Sequence, residues 1–340
     1  MINLKHRRRL MASAVVAMLG VMPVNAVWAA ETIDFGPFCG TECQSALTLK
    51  ADPASIKGTV GVAIASLTFP YGVALKARTE EAAAKYFPGI KLIVGDGQND
   101  PSVQTALVDN FITQGVDVII INAVEKDALA PAVKRAMDAG IKVIEVDRTV
   151  NTPVTTTIKA NDYDIGFNAG TRMIKVLGGK GTVVELQGAA AASPTIDRHQ
   201  GFMDAIKDSP DIKVIAQNYA DYDQAKGLQV MEDFLQRFPA GEIDAVFTHA
   251  DIMTFGAIQA IEASGRQNEI KIVSIDGENA GIEQVAAGKM DSSVIYPVVA
   301  PMGIIAAAMA IAGEPLPEFI KLDAPTVTKE NAAEFMGKSF

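Results

Sequence analysis

The chain has 340 residues, 49% of them apolar and 21% charged, and its formal net charge is −10. This acidic balance argues against a nucleic-acid partner, which would require a basic surface. A chain of this length and apolar content can bury one large core or two of ordinary size.

Residues 1–29 have the pattern of a secretory signal peptide. Basic side chains at positions 5 and 7–9 precede a charge-free apolar run over residues 10–22, and Val27-Trp28-Ala29 supplies a cleavage site. Removing this segment takes away four basic and no acidic residues, so the formal charge moves from −10 to −14. The apolar run is too short for a stable anchor. We expect an exported protein that is held in the periplasm and not inserted in a membrane.

Residues 30–57 form an extension before the first predicted strand, and they contain the two cysteines of the chain, Cys39 and Cys43. In an oxidising compartment the close spacing favours a small disulfide loop. Two thiolates without nearby histidines provide only half of a zinc site, so no metal is expected.

From Thr59 onward, short apolar runs alternate with amphipathic segments, as in a parallel doubly wound α/β sheet. The first predicted strands cover residues 60–65, 91–94, 116–121 and 142–146. The alternation pauses over residues 151–157 and then resumes with strands at 182–186, 214–217, 245–248, 270–275 and 292–296. Two such series predict two Rossmann-like lobes with a cleft between them.

Asp147 and Arg148 directly follow the strand at residues 142–146. The carboxyl ends of parallel strands face the ligand crevice, where a carboxylate and a guanidinium present acceptors and donors suited to hydroxyl groups. On these two residues alone, an incidental surface ion pair is an equally good interpretation.

Motifs for catalysis or cofactor binding are incomplete. Gly95-Asp96-Gly97 resembles the opening of a dinucleotide fingerprint, but Asp100 stands where the third glycine belongs, and a turn into a helix opened by Pro101 is favoured. Gly178-Gly179 is interpreted as a helix stop. A G-x-S-x-G elbow does not occur in the sequence. We therefore expect no cofactor.

Two histidines follow the signal segment, His199 and His249, and neither has a plausible nucleophile beside it. His249 ends a predicted strand. A structural role is favoured for it, with a place in the cleft wall as the alternative.

Several motifs taken together resemble the D-ribose-binding protein family, the type 1 periplasmic binding proteins that serve ABC importers of sugars. The resemblance runs in order from about Thr59 to about Thr328. The motifs that carry it are Ser66-Leu67-Thr68-Phe69-Pro70-Tyr71-Gly72, Gly97-Gln98-Asn99-Asp100-Pro101, Val146-Asp147-Arg148, Glu185-Leu186-Gln187-Gly188, Arg198-His199-Gln200-Gly201-Phe202, Ala220-Asp221-Tyr222-Asp223 and Ile275-Asp276-Gly277.

The resemblance implies a ligand site between the lobes. Its members would be Tyr71, Asp147 and Arg148 from the first lobe and Arg198, Tyr222, Asp276 and Tyr296 from the second. Arginine forks and aspartate oxygens suit adjacent hydroxyls, and tyrosine rings offer flat apolar faces to a sugar ring. Two aspartates and two arginines balance in charge, so a neutral polyhydroxy ligand is expected.

Four positions depart from the ribose-type pattern. Phe69 and Ala250 replace asparagines, Gly72 replaces an aromatic residue, and Tyr296 replaces a glutamine. A ribose hydroxyl left unpaired would cost about 1 to 3 kcal/mol. Another pentose, a deoxy sugar or a sugar alcohol fits as well as ribose or better.

The family pattern also implies that three segments cross between the lobes, near Asn161, Tyr296-Pro297 and Asp323. The first lobe would comprise residues 58–160 and 297–322, and the second lobe residues 161–296 and 323–340. The expected function is non-enzymatic: a monomer closes on its ligand by a hinge and delivers it to the ABC permease.

Three alternatives remain. The ligand domain of a sugar-responsive repressor is disfavoured by the export signal and by the lack of a basic helix-turn-helix. A periplasmic carbohydrate-active enzyme would use Asp147 and Asp276 as paired carboxylates. A sugar-sensing accessory to a chemoreceptor could coexist with transport.

Overall fold

The computed structural model describes residues 33–340, so the predicted signal peptide and residues 30–32 lie outside the described residues. The strands, numbered along the chain, are β1 (Gly58–Ile64), β2 (Ile90–Asp96), β3 (Val118–Ile121), β4 (Lys142–Val146), β5 (Thr156–Lys159), β6 (Gly181–Gln187), β7 (Ile212–Tyr219), β8 (Ala245–Thr248), β9 (Lys271–Asp276), β10 (Ser292–Ile295), β11 (Phe319–Lys321) and β12 (Thr326–Thr328).

Helices separate most of these strands. They are α1 (Thr41–Ala46), α2 (Pro70–Tyr86), α3 (Pro101–Gln114), α4 (Ala130–Asp138), α5 (Asp162–Leu177), α6 (Ser193–Ile206), α7 (Gln224–Arg237), α8 (Asp251–Ala263), α9 (Asn279–Ala287), α10 (Met302–Ile311) and α11 (Ala332–Phe335). Among residues 33–340, none of the helices is long and apolar enough to cross a membrane.

The strands form two six-stranded sheets with the same internal order. The first is β11-β5-β4-β3-β1-β2 and the second is β12-β10-β9-β8-β6-β7. Neighbouring strands are parallel apart from the antiparallel pair of β10 and β12. In each sheet the order reverses beside the first strand, which places a crevice at the carboxyl ends of the strands. The predicted fold, two doubly wound α/β lobes, is therefore confirmed.

The predicted strands agree with the observed ones to within two residues at each end. The expectation for residues 151–157 was wrong, because Thr156–Lys159 form strand β5, which pairs in parallel with β4. The stretch lacks an apolar run, and Thr156 nevertheless lies buried at this place in the sheet. Threonine is β-branched and has a high strand propensity, which is the signal that the pattern of apolar residues missed.

The chain passes between the two sheets three times. It leaves the first sheet after β5, returns between β10 and β11, and leaves again between β11 and β12. The predicted crossing points at Asn161, Tyr296-Pro297 and Asp323 fall within these three intervals. The lobe boundaries drawn from them remain a prediction.

Local sequence signals explain where the site-bearing helices begin and end. The Asp100 carboxylate accepts hydrogen bonds from the N–H groups of Ser102 and Val103, and Pro101 occupies the first turn of α3. The helix ends at Gly115, whose φ of 65° is left-handed. Gly178 ends α5 with a φ of 64°, as its interpretation as a helix stop predicted.

The segment before β1 is tied to the first sheet and to a crossing segment. Cys39 and Cys43 form the disulfide that their spacing favoured, and both are buried. The N–H of Asp323 donates to the carbonyl of Phe38 at 2.9 Å, and α1 packs on β11. The disulfide loop therefore lies beside one of the three crossing segments.

Candidate functional site

A cavity of about 550 Å³, a volume that includes space open to solvent, lies where the carboxyl ends of the two sheets face each other. The seven residues that the resemblance assigned to the ligand site line it, and so do Phe69 and Ala250, two positions that depart from the ribose-type pattern. Its full lining is Ser66, Phe69, Pro70, Tyr71, Gly72, Asn122, Asp147, Arg148, Pro194, Arg198, Tyr222, Ala250, Ile252, Asp276, Glu278, Tyr296 and Phe340.

Asp147 forms the polar part of the first lobe's wall. It follows β4, and its Oδ2 accepts a hydrogen bond of 2.5 Å from the side-chain amide of Asn122, which follows β3. The Arg148 Nε lies 3.9 Å from the same oxygen. Asp147 and Arg148 are 6% and 7% exposed, so the alternative interpretation, an incidental surface ion pair, is wrong.

Arg148 also lies beside two aromatic rings, one from each lobe. Its guanidinium carbon is 5.9 Å from the ring centroid of Phe69 and 5.3 Å from that of Tyr222. The two rings themselves meet edge to face at 6.5 Å. Such contacts hold a guanidinium plane in a fixed orientation while its N–H groups remain in the plane for hydrogen bonding.

Arg198 is the centre of the second lobe's wall. Its Nε donates to Asp162 at 2.8 Å, and its Nη1 donates to the His249 carbonyl at 2.6 Å and to Asp276 at 3.4 Å. The guanidinium carbon lies 4.9 Å from the ring centroid of Tyr296. These contacts hold the guanidinium in one orientation.

Asp162 was missed by the sequence analysis. It begins α5, just after the first crossing point, and its second oxygen lies 2.6 Å from the ammonium of Lys159 at the end of β5. Asp162 therefore shares its charge between Lys159 and Arg198 in a buried ion network. The formal charges of Asp162 and Lys159 cancel. The charge balance inferred from Asp147, Arg148, Arg198 and Asp276 is therefore unchanged.

The backbone is strained at three of the lining residues. The φ angles of Asp147, Tyr222 and Asp276 are 64°, 58° and 110°. Left-handed φ values are uncommon outside glycine, and they are least expected for a bulky residue such as tyrosine. Strain of this kind concentrates at ligand sites, where surrounding structure enforces it.

Two glycines make room for the site. A Cβ on Gly188 would come within 2.0 Å of the Tyr222 ring, and a Cβ on Gly72 would come within 2.0 Å of the Ser66 carbonyl. Gly72, interpreted from sequence as the loss of an aromatic wall, is therefore a packing requirement in this chain. The first turn of α2 lies directly on the loop after β1.

Burial controls the protonation of the lining carboxyls. It raises the pKa of Asp147, against the opposing effect of Arg148, and it raises the pKa of Asp276 well above its usual range despite Arg198. Burial and the neighbouring Asp251 raise the pKa of Glu278 to about 8. At pH 7 Glu278 is therefore mostly neutral.

Both histidines contact Glu185 at the end of β6. The His249 Nε2 lies 2.8 Å from one carboxylate oxygen, and the His199 Nδ1 lies 3.0 Å from either oxygen. Burial raises the pKa of Glu185, but these hydrogen bonds outweigh it and lower the pKa to about 2. His249 is fully buried and does not line the cavity. Its structure fits the structural role favoured from sequence.

Sequence reasoning also missed four polar or aromatic members of the lining: Ser66, Asn122, Glu278 and Phe340. Asn122 directly follows β3, so its position at a strand's carboxyl end was a usable signal. Glu278 follows β9 by two residues and was open to the same argument. Phe340 lies far from any strand and gives no such signal.

Comparison with known proteins agrees with this architecture. Residues 60–313 match the family model described as "Periplasmic binding protein domain". The ribose import binding protein of Bacillus subtilis is 37% identical over 237 residues, which cover 69% of this chain and 75% of that protein.

Two solved structures illustrate the likeness in three dimensions. The fructose-binding periplasmic domain of a hybrid two-component system is 32% identical with a TM-score of 0.79, covering 82% of this chain and 93% of that one. A solute-binding protein of an ABC transporter from Bacillus halodurans, with bound myo-inositol, is 30% identical with a TM-score of 0.78, covering 84% and 99%. The chain therefore belongs to the periplasmic binding protein family, among the type 1 members that resemble ribose-binding proteins.

Proposed function

We propose that the protein is a periplasmic solute-binding protein that captures a neutral monosaccharide or sugar alcohol between its lobes and delivers it to an ABC importer. One observation carries the proposal. The pair Asp147 and Arg148 from one lobe and the pair Arg198 and Asp276 from the other line the same cavity. A polyhydroxy compound offers donors and acceptors to all four.

The charges of the site favour a neutral ligand. The cavity and the buried network behind Arg198 hold three aspartates and three bases, whose formal charges balance: Asp147, Asp162, Asp276, Arg148, Arg198 and Lys159. Glu278 adds a carboxyl that is mostly neutral at pH 7 because its pKa is about 8. An anionic or cationic solute would enter a buried site without a compensating charge.

The lining favours a ligand with an apolar face as well as hydroxyls. Phe69, Tyr222 and Tyr296 present rings, and Ala250 presents a methyl group. Relatives are named for ribose and fructose, and one holds myo-inositol. This range supports a ligand of one ring, or an open polyol of similar size, without selecting one compound.

Transport follows from closure in this proposal. A ligand that contacts both lobes stabilises their closed arrangement, which a permease can distinguish from the open one. The protein acts as a monomer and leaves the ligand chemically unchanged. The similarity to a domain of a two-component system supports presentation to a sensor as a second role for the same closed form.

A thermal-shift screen tests the proposal. The probes are D-ribose, D-fructose, L-arabinose, xylitol and myo-inositol, with D-glucuronate and L-glutamate as charged controls. A probe that binds only the folded state stabilises it and so raises the melting temperature. At a probe concentration 100 times its Kd, the added free energy of unfolding is about 2.7 kcal/mol. We expect a shift with at least one neutral probe and none with the controls. Shifts confined to the charged compounds, or a probe recovered as a new product, would refute the proposal.

Site variants make the first prediction. Asp147→Ala and Arg198→Ala each remove a group that meets the ligand from one lobe, so each should abolish the shift seen with the wild type. Asp109→Ala is a matched control, because Asp109 forms an exposed ion pair with Arg135 away from the cavity. Binding retained by both site variants would overturn the site assignment.

A further inference from the structure

Residues Ser339 and Phe340 connect the two lobes beside the cavity. The Ser339 carbonyl accepts hydrogen bonds from the Arg78 guanidinium of α2 in the first lobe, at 2.7 Å, and from the Asn279 side chain of α9 in the second lobe, at 3.2 Å. Ser339 is 5% exposed. One carbonyl oxygen is therefore shared by both lobes.

The same two residues are anchored to the start of α9. The Asn279 N–H donates to the Phe340 carbonyl at 2.9 Å, and the Ser339 N–H donates to the Asn279 side-chain oxygen at 3.3 Å. The first N–H groups of a helix have no partner inside the helix, so the Phe340 carbonyl satisfies one of them. The attachment to the second lobe is thus built from three hydrogen bonds.

The Phe340 ring continues this connection into the cavity wall. It meets the Tyr71 ring of the first lobe edge to face, with ring centroids 5.7 Å apart and an interplanar angle of 89°. Tyr71 in turn meets Tyr296 at 5.7 Å, and its hydroxyl accepts a hydrogen bond from the Val299 N–H at 3.3 Å. All three rings line the cavity.

We propose that Phe340 is a specificity-determining residue of the site, held in place by the shared contacts of Ser339 with Arg78 and Asn279. The wall it forms is complete only when the lobes are together, since its supports come from both. It limits the ligand to one ring or an open polyol of that size and excludes a second sugar ring. The specificity of Phe340 rests on the proposed function, which gives the class of ligand. The connection between the lobes through Ser339 does not depend on that function.

The connection is tested without any ligand. Arg78→Ala removes the bond from the first lobe and alters no residue of the cavity lining. Lys76→Ala is the control, because Lys76 lies on the same helix and forms an exposed ion pair with Glu80. We expect the unliganded protein to exchange between open and closed arrangements, and the bond from Arg78 favours the closed one. In small-angle X-ray scattering of the unliganded proteins, Arg78→Ala should therefore have the larger radius of gyration at an unchanged melting temperature. Equal radii would overturn the role of Ser339 as a connection between the lobes.

The wall is tested by ligand size. D-fructose and myo-inositol are the one-ring probes, and sucrose and galactinol extend each of them by a second ring. Phe340→Ala should raise the Kd for the one-ring probe at least tenfold. It should also bind the two-ring probe tightly enough for the affinity to be measured by calorimetry. Phe340→Leu should restore most of the one-ring affinity. Unchanged affinity and unchanged selectivity in Phe340→Ala would overturn the proposal.

The two failures are distinguishable. If the wild type binds none of the neutral probes, the proposed function fails, and the specificity claim for Phe340 fails with it. The scattering comparison of Arg78→Ala and Lys76→Ala still tests whether Ser339 connects the lobes. If the wild type binds one ring and Phe340→Ala behaves like the wild type, the function stands and the specificity claim alone is wrong.

Discussion

At the scale of single residues, the site consists of charged side chains that are each fixed by a second group. Asp147 is held by Asn122, and Arg198 is held by Asp162 and the His249 carbonyl. Three of the charged residues, Asp147, Arg148 and Asp276, were predictable from sequence, because they stand at strand ends. Their supports were not, because Asp162 becomes a partner of Arg198 only through the packing of α5 against α6.

Asp162 should be the most sensitive member of this network to substitution. Asp162→Asn leaves the buried charges of Lys159 and Arg198 without their shared carboxylate, and breaking a buried pair in this way costs about 3 to 5 kcal/mol. Asp164→Asn on the same helix is the control, since its exposed pair with Lys321 is worth about 0 to 1 kcal/mol. Urea unfolding of the two variants measures the difference. Equal losses of unfolding free energy in the two variants would show that the buried network contributes no more stability than the exposed ion pair.

Glu278 should make stability depend on pH. Its pKa is raised in the folded protein from 4.5 to about 8, so the folded state binds this proton more tightly than the unfolded state does. Stability is therefore lost as the pH rises from about 4.5 to about 8, at about 1.4 kcal/mol per unit of pKa difference.

The variant Glu278→Gln removes this loss. Its unfolding free energy should match that of the wild type at pH 4, exceed it increasingly up to about pH 8, and keep a constant excess above that pH. Glu283→Gln, an exposed position on the same helix α9, should follow the wild type throughout. A gain in Glu278→Gln that is the same at every pH would contradict the raised pKa.

At the scale of elements, the strands and most helix ends follow from the sequence. Apolar runs located nine of the twelve strands to within two residues, and Pro101 and Gly178 marked a helix start and a helix stop. Strands β5, β11 and β12 were not predicted as strands. They are three or four residues long, and pairing with strands of a sheet stabilises them: β5 lies between β4 and β11, whereas β11 and β12 are edge strands.

The disulfide element before β1 should contribute stability without affecting the site. A loop closed between Cys39 and Cys43 removes about 2 kcal/mol of chain entropy from the unfolded state in the loop-closure account. The double variant Cys39→Ser, Cys43→Ser should therefore unfold about 2 kcal/mol more easily. Thermal shifts by the neutral probes should keep their size. A loss of binding in this variant would instead give the segment a role in the site.

At the scale of the whole molecule, the sequence predicted two lobes and a cleft but not how the cleft is closed. The charged pairs come from opposite lobes, and so do the rings of Phe69 and Tyr222 that contact Arg148. Phe340 has no strand-end position or local motif to mark it. Its place in the lining results from tertiary contacts with Tyr71 and Asn279.

The central claim is that a neutral polyhydroxy compound is captured between the lobes. Small-angle X-ray scattering of residues 30–340 with and without saturating D-ribose, D-fructose, L-arabinose, xylitol or myo-inositol tests it most directly. We predict that a probe that raises the melting temperature also lowers the radius of gyration, and that Asp147→Ala abolishes both effects. A bound probe that leaves the radius unchanged would contradict closure on the ligand, and a decrease produced only by charged solutes would contradict the neutral site.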